Sequence, residues 1–306
     1  MNLREWALPV YTILMQLAIG AFTALWIIRQ LSAKHLSKEE LDRLVHHPLS
    51  IIFLTVIAGM IGSHFHLSRP YLSFFAILNL RSSWLSREVL FTVLFMLTIG
   101  SLWLLQVTHR GKEKQVSALG WVGVLFGFVA VFCMSRIYLI PTQIVWNTPI
   151  TIYTFYSTAV LLGALAMAAI LVLDLKFLEI RGLEDLASHT KIVYQSLPWL
   201  ALVAFVMAWI IIALNFLMIQ SLRSQGGAAL ISLDLLLGLY QPLLIMRFVM
   251  LLAGVGWLVT TVVTNIRKMG SPRNLTMPVY MACLMVMIGE ILGRYLFYAT
   301  HIRLGI

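Results

Sequence analysis

Charged residues are scarce in this 306-residue chain: Asp, Glu, Lys and Arg together make up 11% of it, whereas 60% of the residues are hydrophobic. An ordinary soluble globular domain carries about 25% charged residues. The mean hydropathy of +0.92 points in the same direction. This composition excludes a soluble enzyme or binding domain and indicates an integral membrane protein.

Cysteine is almost absent. The two cysteines, Cys133 and Cys283, both lie in apolar segments and match no spacing pattern of iron–sulfur or zinc ligands. We therefore expect no metal centre and no iron–sulfur cluster in this chain. Both cysteines are interpreted as packing residues.

Acidic residues are few as well, 12 against 22 Lys and Arg, so the formal net charge is +10. A basic chain can bind nucleic acid, but here the basic residues are spread over the connections between apolar segments rather than gathered in one domain. Membrane topology explains this distribution better. No nucleic-acid partner is expected, and membrane lipid is the expected surroundings.

No cleavable signal peptide is evident, because the first apolar segment begins with Arg4, Glu5 and Trp6 and lacks a small-residue cleavage site. About 20 apolar residues cross the hydrocarbon core of a membrane. Hydropathy places eight such spans, at about 5–28, 49–67, 87–108, 117–140, 151–175, 196–220, 236–266 and 277–299. Segments 30–48 and 176–195 are predicted to be short solvated helices. No linker or internal repeat marks a second domain, so residues 1–306 are predicted to form a single transmembrane helical domain.

The basic residues also predict an orientation. Thirteen of the 22 Lys and Arg residues lie in the connections after spans one, three, five and seven, which share one side of the membrane. Connections rich in Lys and Arg stay in the cytoplasm. The predicted fold is therefore an all-α integral membrane protein, a bundle of eight transmembrane helices with both termini periplasmic.

Ionisable side chains within a span normally face a partner or a cavity, and few occur here. Glu88, Arg136, Glu290 and Arg294 all fall in the outer halves of their spans, and Arg247 lies in span seven. Glu290 and Arg294 are one helical turn apart and are expected to neutralise each other. Arg136 has no acid within a turn, so its partner is expected on another helix, with Glu88 or Glu290 as the candidates.

The connection between spans two and three holds the best candidates for proton chemistry. His64 and His66 are about 200° apart round a helix, so only one can face a given neighbour, and His66 with the nearby Arg69 is favoured. Glu88 follows Ser86, a candidate helix N-cap. Taken singly, His66 is equally typical of an interfacial histidine. Glu88 is equally typical of an acid that complements the positive end of a helix.

Aromatic residues accompany these groups. Rings are frequent in 71–84, and the connection after span four, RIYLIPTQIVWNTP, supplies Tyr138 and Trp146 with no charge beyond Arg136. This connection can roof a cavity. A polar pocket with aromatic walls near the outer surface suits a quinone, a flat redox-active ring with an isoprenoid tail that needs hydrogen-bond partners, proton acceptors and an opening to lipid.

Haem binding and transport are the other functions to consider. A bis-histidine haem needs axial ligands on facing helices. Of the eight histidines, only His64 and His66 approach a span interior on the outer side, so no haem is expected. A carrier usually has paired broken helices in its two halves, and none are evident. Because a buried Glu, Arg and His can serve a proton-coupled small-molecule transporter, that function remains the alternative.

At these residues the sequence resembles the membrane anchor subunits of bacterial dimethyl sulfoxide reductase and their paralogues, a group of haem-free quinol-interacting anchors. The resemblance covers the whole chain. It rests on HLSRP at 66–70, NLRSSWLSRE at 79–88, RIYLIPT with WNTP between 136 and 149, and GEILGRYLFY at 289–298.

The resemblance implies a multi-pass protein of the bacterial inner membrane that serves electron transport in anaerobic respiration. It implies an iron–sulfur electron-transfer subunit and a molybdopterin catalytic subunit as partners, and menaquinol as the bound substrate that the anchor oxidises near the periplasmic face. The family's menaquinol-binding histidine and glutamate match His66 and Glu88, whereas His64 has no such match. A partner subunit, rather than this chain, selects the terminal electron acceptor.

The predicted catalytic residues are His66 and Glu88. Histidine has an unperturbed pKa of about 6.5, which suits a reversible proton acceptor. Glu88 is expected to be a second acceptor or to orient His66. The residues predicted to bind quinol are His66, Arg69, Glu88, Arg136, Tyr138, Glu290 and Arg294.

Overall fold

The structure is a computed structural model that describes residues 3–64, 70–108, 111–181, 186–268 and 273–302. Within these ranges the long helices are α1 (Leu3–Ser32), α2 (Lys38–His64), α3 (Trp84–Val107), α4 (Glu113–Ile137), α5 (Pro149–Arg181), α6 (Leu186–Gln225), α8 (Gln241–Lys268) and α9 (Arg273–Ala299). The short helix α7 (Ala228–Asp234) leads through a π-helical turn, Leu235–Leu239, into α8. A 3₁₀ helix, Pro70–Asn79, precedes α3.

Eight helices in the described part of the protein are long and apolar enough to cross a membrane. An α-helix suits this task because it satisfies its backbone polar groups internally, where no water is available. The predicted number of spans is confirmed, but several boundaries differ. Span seven begins only at Gln241, because the residues before it form the π-helical turn and α7.

The prediction of a separate solvated helix at 30–48 is wrong. Helix α2 runs unbroken from Lys38 to His64. Its first turns bury Leu41, Leu44 and Val45, which are spaced as i, i+3 and i+4 and form one apolar face. That face packs into the bundle and draws the charged segment into the span. Segment 176–195 likewise belongs largely to the ends of α5 and α6.

The long helices form two groups of four. In the first half of the protein, α1 packs on α2 and α4, and α3 packs on α2 and α4. In the second half, α5 packs on α6 and α9, and α8 packs on α6 and α9. The two halves meet mainly where α1 lies against α5.

Glycines allow α1 and α5 to approach closely. A Cβ atom on Gly20 would lie 1.9 Å from the carbonyl oxygen of Ala159, and one on Gly163 would lie 2.2 Å from the carbonyl carbon of Gly20. In their most apolar stretches α1 and α5 are 78% and 83% buried, whereas the other spans reach at most 39%. Most side chains in these stretches of α1 and α5 therefore face protein rather than lipid.

Candidate functional site

Glu88 enters the bundle from the first turns of α3. Ser83 has an extended backbone and its hydroxyl accepts a hydrogen bond from the Ser86 backbone N–H, so Ser83 is the N-cap and the prediction of Ser86 is wrong. The helix starts at Trp84, which places Glu88 about 6 Å along the axis from the N-terminal end of α3 at 1.5 Å per residue. The Glu88 side chain is 3% exposed.

The buried carboxylate of Glu88 is held by α1. The Tyr11 hydroxyl donates a hydrogen bond to Glu88 Oε1, and the same hydroxyl lies 3.3 Å from Thr92 Oγ1, one turn further along α3. Tyr11, Glu88 and Thr92 are all buried. This contact joins α1 to α3 through a group that can take up a proton.

Arg136 is paired with an aromatic ring. Its guanidinium carbon lies 4.8 Å from the centroid of the Trp84 ring, and Arg87 lies 4.2 Å from the same ring. No carboxylate among the described residues forms an ion pair with Arg136, so the expectation of Glu88 or Glu290 as its partner is wrong. Arg136 instead makes a cation–π contact with the Trp84 ring, which is attractive but supplies no negative charge.

Tyr138, the residue after α4, joins α4 to α9. Its hydroxyl forms a hydrogen bond with the hydroxyl of Tyr298, and its ring packs edge-on against Trp146 and Phe297. The Trp146 indole donates to the Phe297 carbonyl oxygen at 2.7 Å. The connection after α4 is thereby fastened to the C-terminal end of α9.

The expectation that Glu290 and Arg294 neutralise each other is wrong. Arg294 donates to Gln16 Oε1 on α1 at 2.8 Å and lies 4.0 Å from the centroid of the Phe155 ring. Glu290 accepts a hydrogen bond from the Thr158 hydroxyl at 2.6 Å and lies 3.5 Å from Arg247 on α8. The two side chains face different neighbours because both are buried at a junction of several helices.

The structure therefore divides the predicted residues between two places. Glu88 and Arg136 lie in the first half, and Tyr138 lies where α4 meets α9. Glu290 faces a cavity of about 80 Å³ in the second half, and Arg294 lines that cavity while contacting α1. Val145, from the connection after α4, lines the same cavity, so this connection lies over the second half.

His66 and Arg69 lie outside the described residues. Their neighbours in sequence are placed: α2 ends at His64, and the 3₁₀ helix begins at Pro70. The His64 ring nitrogen Nδ1 lies 2.7 Å from the Met60 carbonyl oxygen of its own helix. Helix α2 packs against α3, the span that carries Glu88.

Sequence reasoning missed the partners of these groups. Tyr11 and Gln16 on α1 and Thr158 on α5 hold Glu88, Arg294 and Glu290. Each belongs to a span that is buried on most sides. A polar residue in such a span indicates a partner for a buried charged group. Only the helix packing, however, shows which spans are central.

A separate polar cluster lies towards the opposite ends of α2 and α5. Asp174 Oδ1 lies 2.7 Å from His47 Nδ1, and Asp174 Oδ2 lies 3.9 Å from His189 Nδ1 on α6. Among the described residues, no group of three or more His, Cys, Asp or Glu side chains is arranged to hold a metal ion. This cluster is best explained as a link between α2, α5 and α6.

Comparison with known proteins fits this architecture. A family model described as DMSO reductase anchor subunit (DmsC) matches residues 1–300. The chain belongs to the DmsC family. The predicted resemblance is confirmed, and the protein is a multi-pass protein of the bacterial inner membrane. DmsC-family proteins are the membrane anchor subunits of dimethyl sulfoxide reductase-type complexes.

Several relatives are similar over part or all of the sequence. The anaerobic dimethyl sulfoxide reductase protein YnfH of Escherichia coli is 27% identical over 311 residues, covering 98% of this chain and 96% of the relative. An anaerobic dimethyl sulfoxide reductase component of Haemophilus influenzae is 26% identical over 56% of this chain and 60% of its own length. A sulfite dehydrogenase component of Allochromatium vinosum is 29% identical over 39% of this chain and 40% of its own length.

Proposed function

We propose that this DmsC-family protein oxidises menaquinol near the periplasmic face and passes the electrons to an iron–sulfur subunit, which supplies a molybdopterin catalytic subunit. The observation that carries the proposal is the buried Glu88 carboxylate, held by Tyr11 about 6 Å below the outer end of α3. An ionisable group at such a depth in a membrane protein usually serves function. Both termini are proposed to be periplasmic.

The chemistry needs two proton acceptors and one exit for electrons. Each menaquinol molecule loses one proton from each of its two hydroxyl groups and releases two electrons, becoming menaquinone. His66 is proposed to accept the first proton, and Glu88 the second. The electrons leave for an iron–sulfur cluster of the partner subunit, so this protein needs neither haem nor a cluster of its own.

The remaining predicted residues take different roles. Arg136, stacked on Trp84, and Tyr138 are proposed to donate hydrogen bonds to the quinol oxygens, with Arg69 nearby in sequence. Arg294 is proposed to act through α1, because it contacts Gln16, five residues after Tyr11. Glu290 is left out of the quinol site, since its carboxylate contacts Thr158 and Arg247 in the second half.

The proposal is tested by electron transfer from menaquinol in the assembled complex. His66→Ala and Glu88→Gln are each expected to slow menaquinol-dependent reduction about 100-fold, a typical contribution of a positioned proton acceptor. Reduction driven by an artificial dye that feeds the partner subunits directly is expected to survive both substitutions. Asp234→Asn removes an exposed carboxylate at the end of α7 and is the matched control for Glu88→Gln.

Normal menaquinol oxidation by His66→Ala would refute the proposal. The transporter alternative draws on buried charges such as Glu290 and Arg247. It predicts a different result: the protein is recovered without iron–sulfur and molybdopterin subunits, and vesicles that contain it take up a small molecule with protons. Co-purification with both subunits favours the anchor function.

A further inference from the structure

The cavity in the second half is separate from the Glu88 carboxylate. It is bounded by α5, α6, α8 and α9, and Val145 and Thr300 line it near the outer ends of these helices. Its charged side chains are Arg247, Glu290 and Arg294. Counting residues from the outer helix ends at 1.5 Å each places them about 7 to 14 Å deep.

Two guanidinium groups and one carboxylate line the cavity. Arg247 Nη1 donates to Asn215 Oδ1 at 2.9 Å, and its Nη2 lies 3.5 Å from Glu290 Oε1, a long contact. Arg247 Nε is buried without a hydrogen-bond partner in the described part of the protein. The other carboxylate oxygen of Glu290 already accepts from Thr158. The ion pair between Glu290 and Arg247 is therefore weak.

Arg294 adds a second positive charge to the cavity. Its two closest contacts, Gln16 and the Phe155 ring, are both uncharged. Of the described residues that line the cavity, only Glu290 is acidic. The cavity thus carries two buried positive charges against one negative charge. An uncompensated charge at membrane depth is strongly unfavourable, so this excess calls for a counter-charge.

Glycine brings the two guanidinium groups together. A Cβ atom on Gly293 would lie 2.4 Å from Arg247 Nε, so the absence of a side chain at Gly293 leaves room for Arg247 beside Arg294. Each guanidinium has five N–H donors. The hydrogen bonds that both make with described residues leave donors to spare.

The size of the cavity restricts its occupant. A cavity of about 150 Å³ is known to hold benzene. At about 80 Å³ the space between these side chains is smaller than that. Water molecules and small anions fit, and only an anion balances the charge. We propose that the cavity binds a small monovalent anion, of halide or nitrate size, between Arg247 and Arg294.

Bromide is the probe that tests this site. The full-length protein is crystallised with bromide, and anomalous scattering is expected to place bromide beside the Arg247 guanidinium. In lipid nanodiscs, replacing gluconate by bromide at equal ionic strength is expected to raise the unfolding midpoint by about 5 °C, saturably, because only the smaller anion enters.

Asn215→Asp is the decisive variant. It puts a carboxylate 2.9 Å from Arg247 Nη1 and so supplies the counter-charge from the protein itself. The variant is expected to fold and to lose both the bromide peak and the dependence on bromide. Arg223→Gln removes an exposed cation at the outer end of α6 and is expected to keep both.

Two results overturn the proposal. One is the absence of bromide at Arg247 in wild-type crystals grown at saturating bromide, which leaves a hydrated cavity. The other is an equal dependence on bromide in the wild type and in Asn215→Asp, which indicates a general salt effect. Neither readout depends on quinol oxidation, so the proposed catalytic function is untouched by either result.

Discussion

A single hydroxyl group links the most buried helix of the first half to its buried carboxylate. Tyr11 donates to Glu88, and hydrogen bonds to charged acceptors contribute about 1.5 to 3 kcal/mol. Tyr11→Phe removes only that hydroxyl. Under the proposed function, we expect menaquinol-dependent electron transfer to fall about tenfold or more. We also expect its pH profile to shift, because loss of the hydrogen bond from Tyr11 changes the proton affinity of the Glu88 carboxylate.

Tyr153→Phe is the control for this change, since Tyr153 is 60% exposed on α5 and does not line the cavity that Glu290 faces. The measurement is the rate of menaquinol oxidation against pH, together with the unfolding midpoint. A purely structural role for Tyr11 predicts a lower midpoint and an unchanged pH profile. That outcome would contradict a role in proton transfer.

At this scale the sequence predicts which groups are unusual better than it predicts their partners. Glu88 is expected at the start of its span, and it is buried in the first turns of α3. The partners of Arg136 and Arg294 are not predicted, because the rule that pairs Glu290 with Arg294 applies to an exposed helix with no competing neighbours. In a buried junction, the Phe155 ring and the Thr158 hydroxyl compete for the same charges.

The contact between α1 and α5 determines how the two halves fit together. At Gly20, a Cβ atom would lie 1.9 Å from a backbone oxygen of α5, and a backbone atom cannot move aside as a side-chain end can. Gly20→Ala is therefore expected to separate the two helices. Overpacking of this kind typically costs about 1 to 3 kcal/mol.

Thermal unfolding in detergent measures this cost, and Gly256→Ala is the matched control. Gly256 lies within α8 with no atom near the position of an added Cβ. There the substitution is expected to be neutral or stabilising, because alanine favours helix more than glycine does. Equal effects at Gly20 and Gly256 would show that the close approach of α1 and α5 contributes little.

Hydropathy predicts the long helices well and their ends poorly. All eight spans are predictable, because a run of about 20 apolar residues is long enough to cross the hydrocarbon core as one α-helix. The unbroken start of α2 is not predictable, because the charges of Lys38 and Glu39 are typical of a solvated helix, whereas Leu41 and Leu44 further along pack inward. The pairing of α1 with α5 depends on glycines far apart in the sequence.

The orientation of the whole molecule is a prediction from charge alone. Thirteen of the 22 Lys and Arg residues lie in connections on one side, and this excess is expected to keep that side in the cytoplasm. Reporters fused at residues 1 and 306 should behave as periplasmic, with active alkaline phosphatase. A reporter in the connection 109–116 should behave as cytoplasmic. Cytoplasmic activity at either terminus would place Glu88 and the cavity beside Glu290 on the cytoplasmic side instead.

This orientation has an electrical consequence for the assembled complex. Glu88 lies about 6 Å from the N-terminal end of α3, which the predicted orientation puts on the periplasmic side, and the electron acceptor is proposed to rest on the same face. The two protons and the two electrons of menaquinol then leave on one side. No net charge crosses the membrane during turnover.

Proteoliposomes that contain only this complex are therefore expected to oxidise menaquinol without generating a membrane potential, as read by a voltage-sensitive dye. Adding an upstream dehydrogenase that does translocate charge is the positive control for the dye. A potential that appears with the complex alone would require the protons released by menaquinol to leave on the cytoplasmic side. Such a result would move the proton path through the bundle, past α1 and α5, and would refute an exit at the outer face.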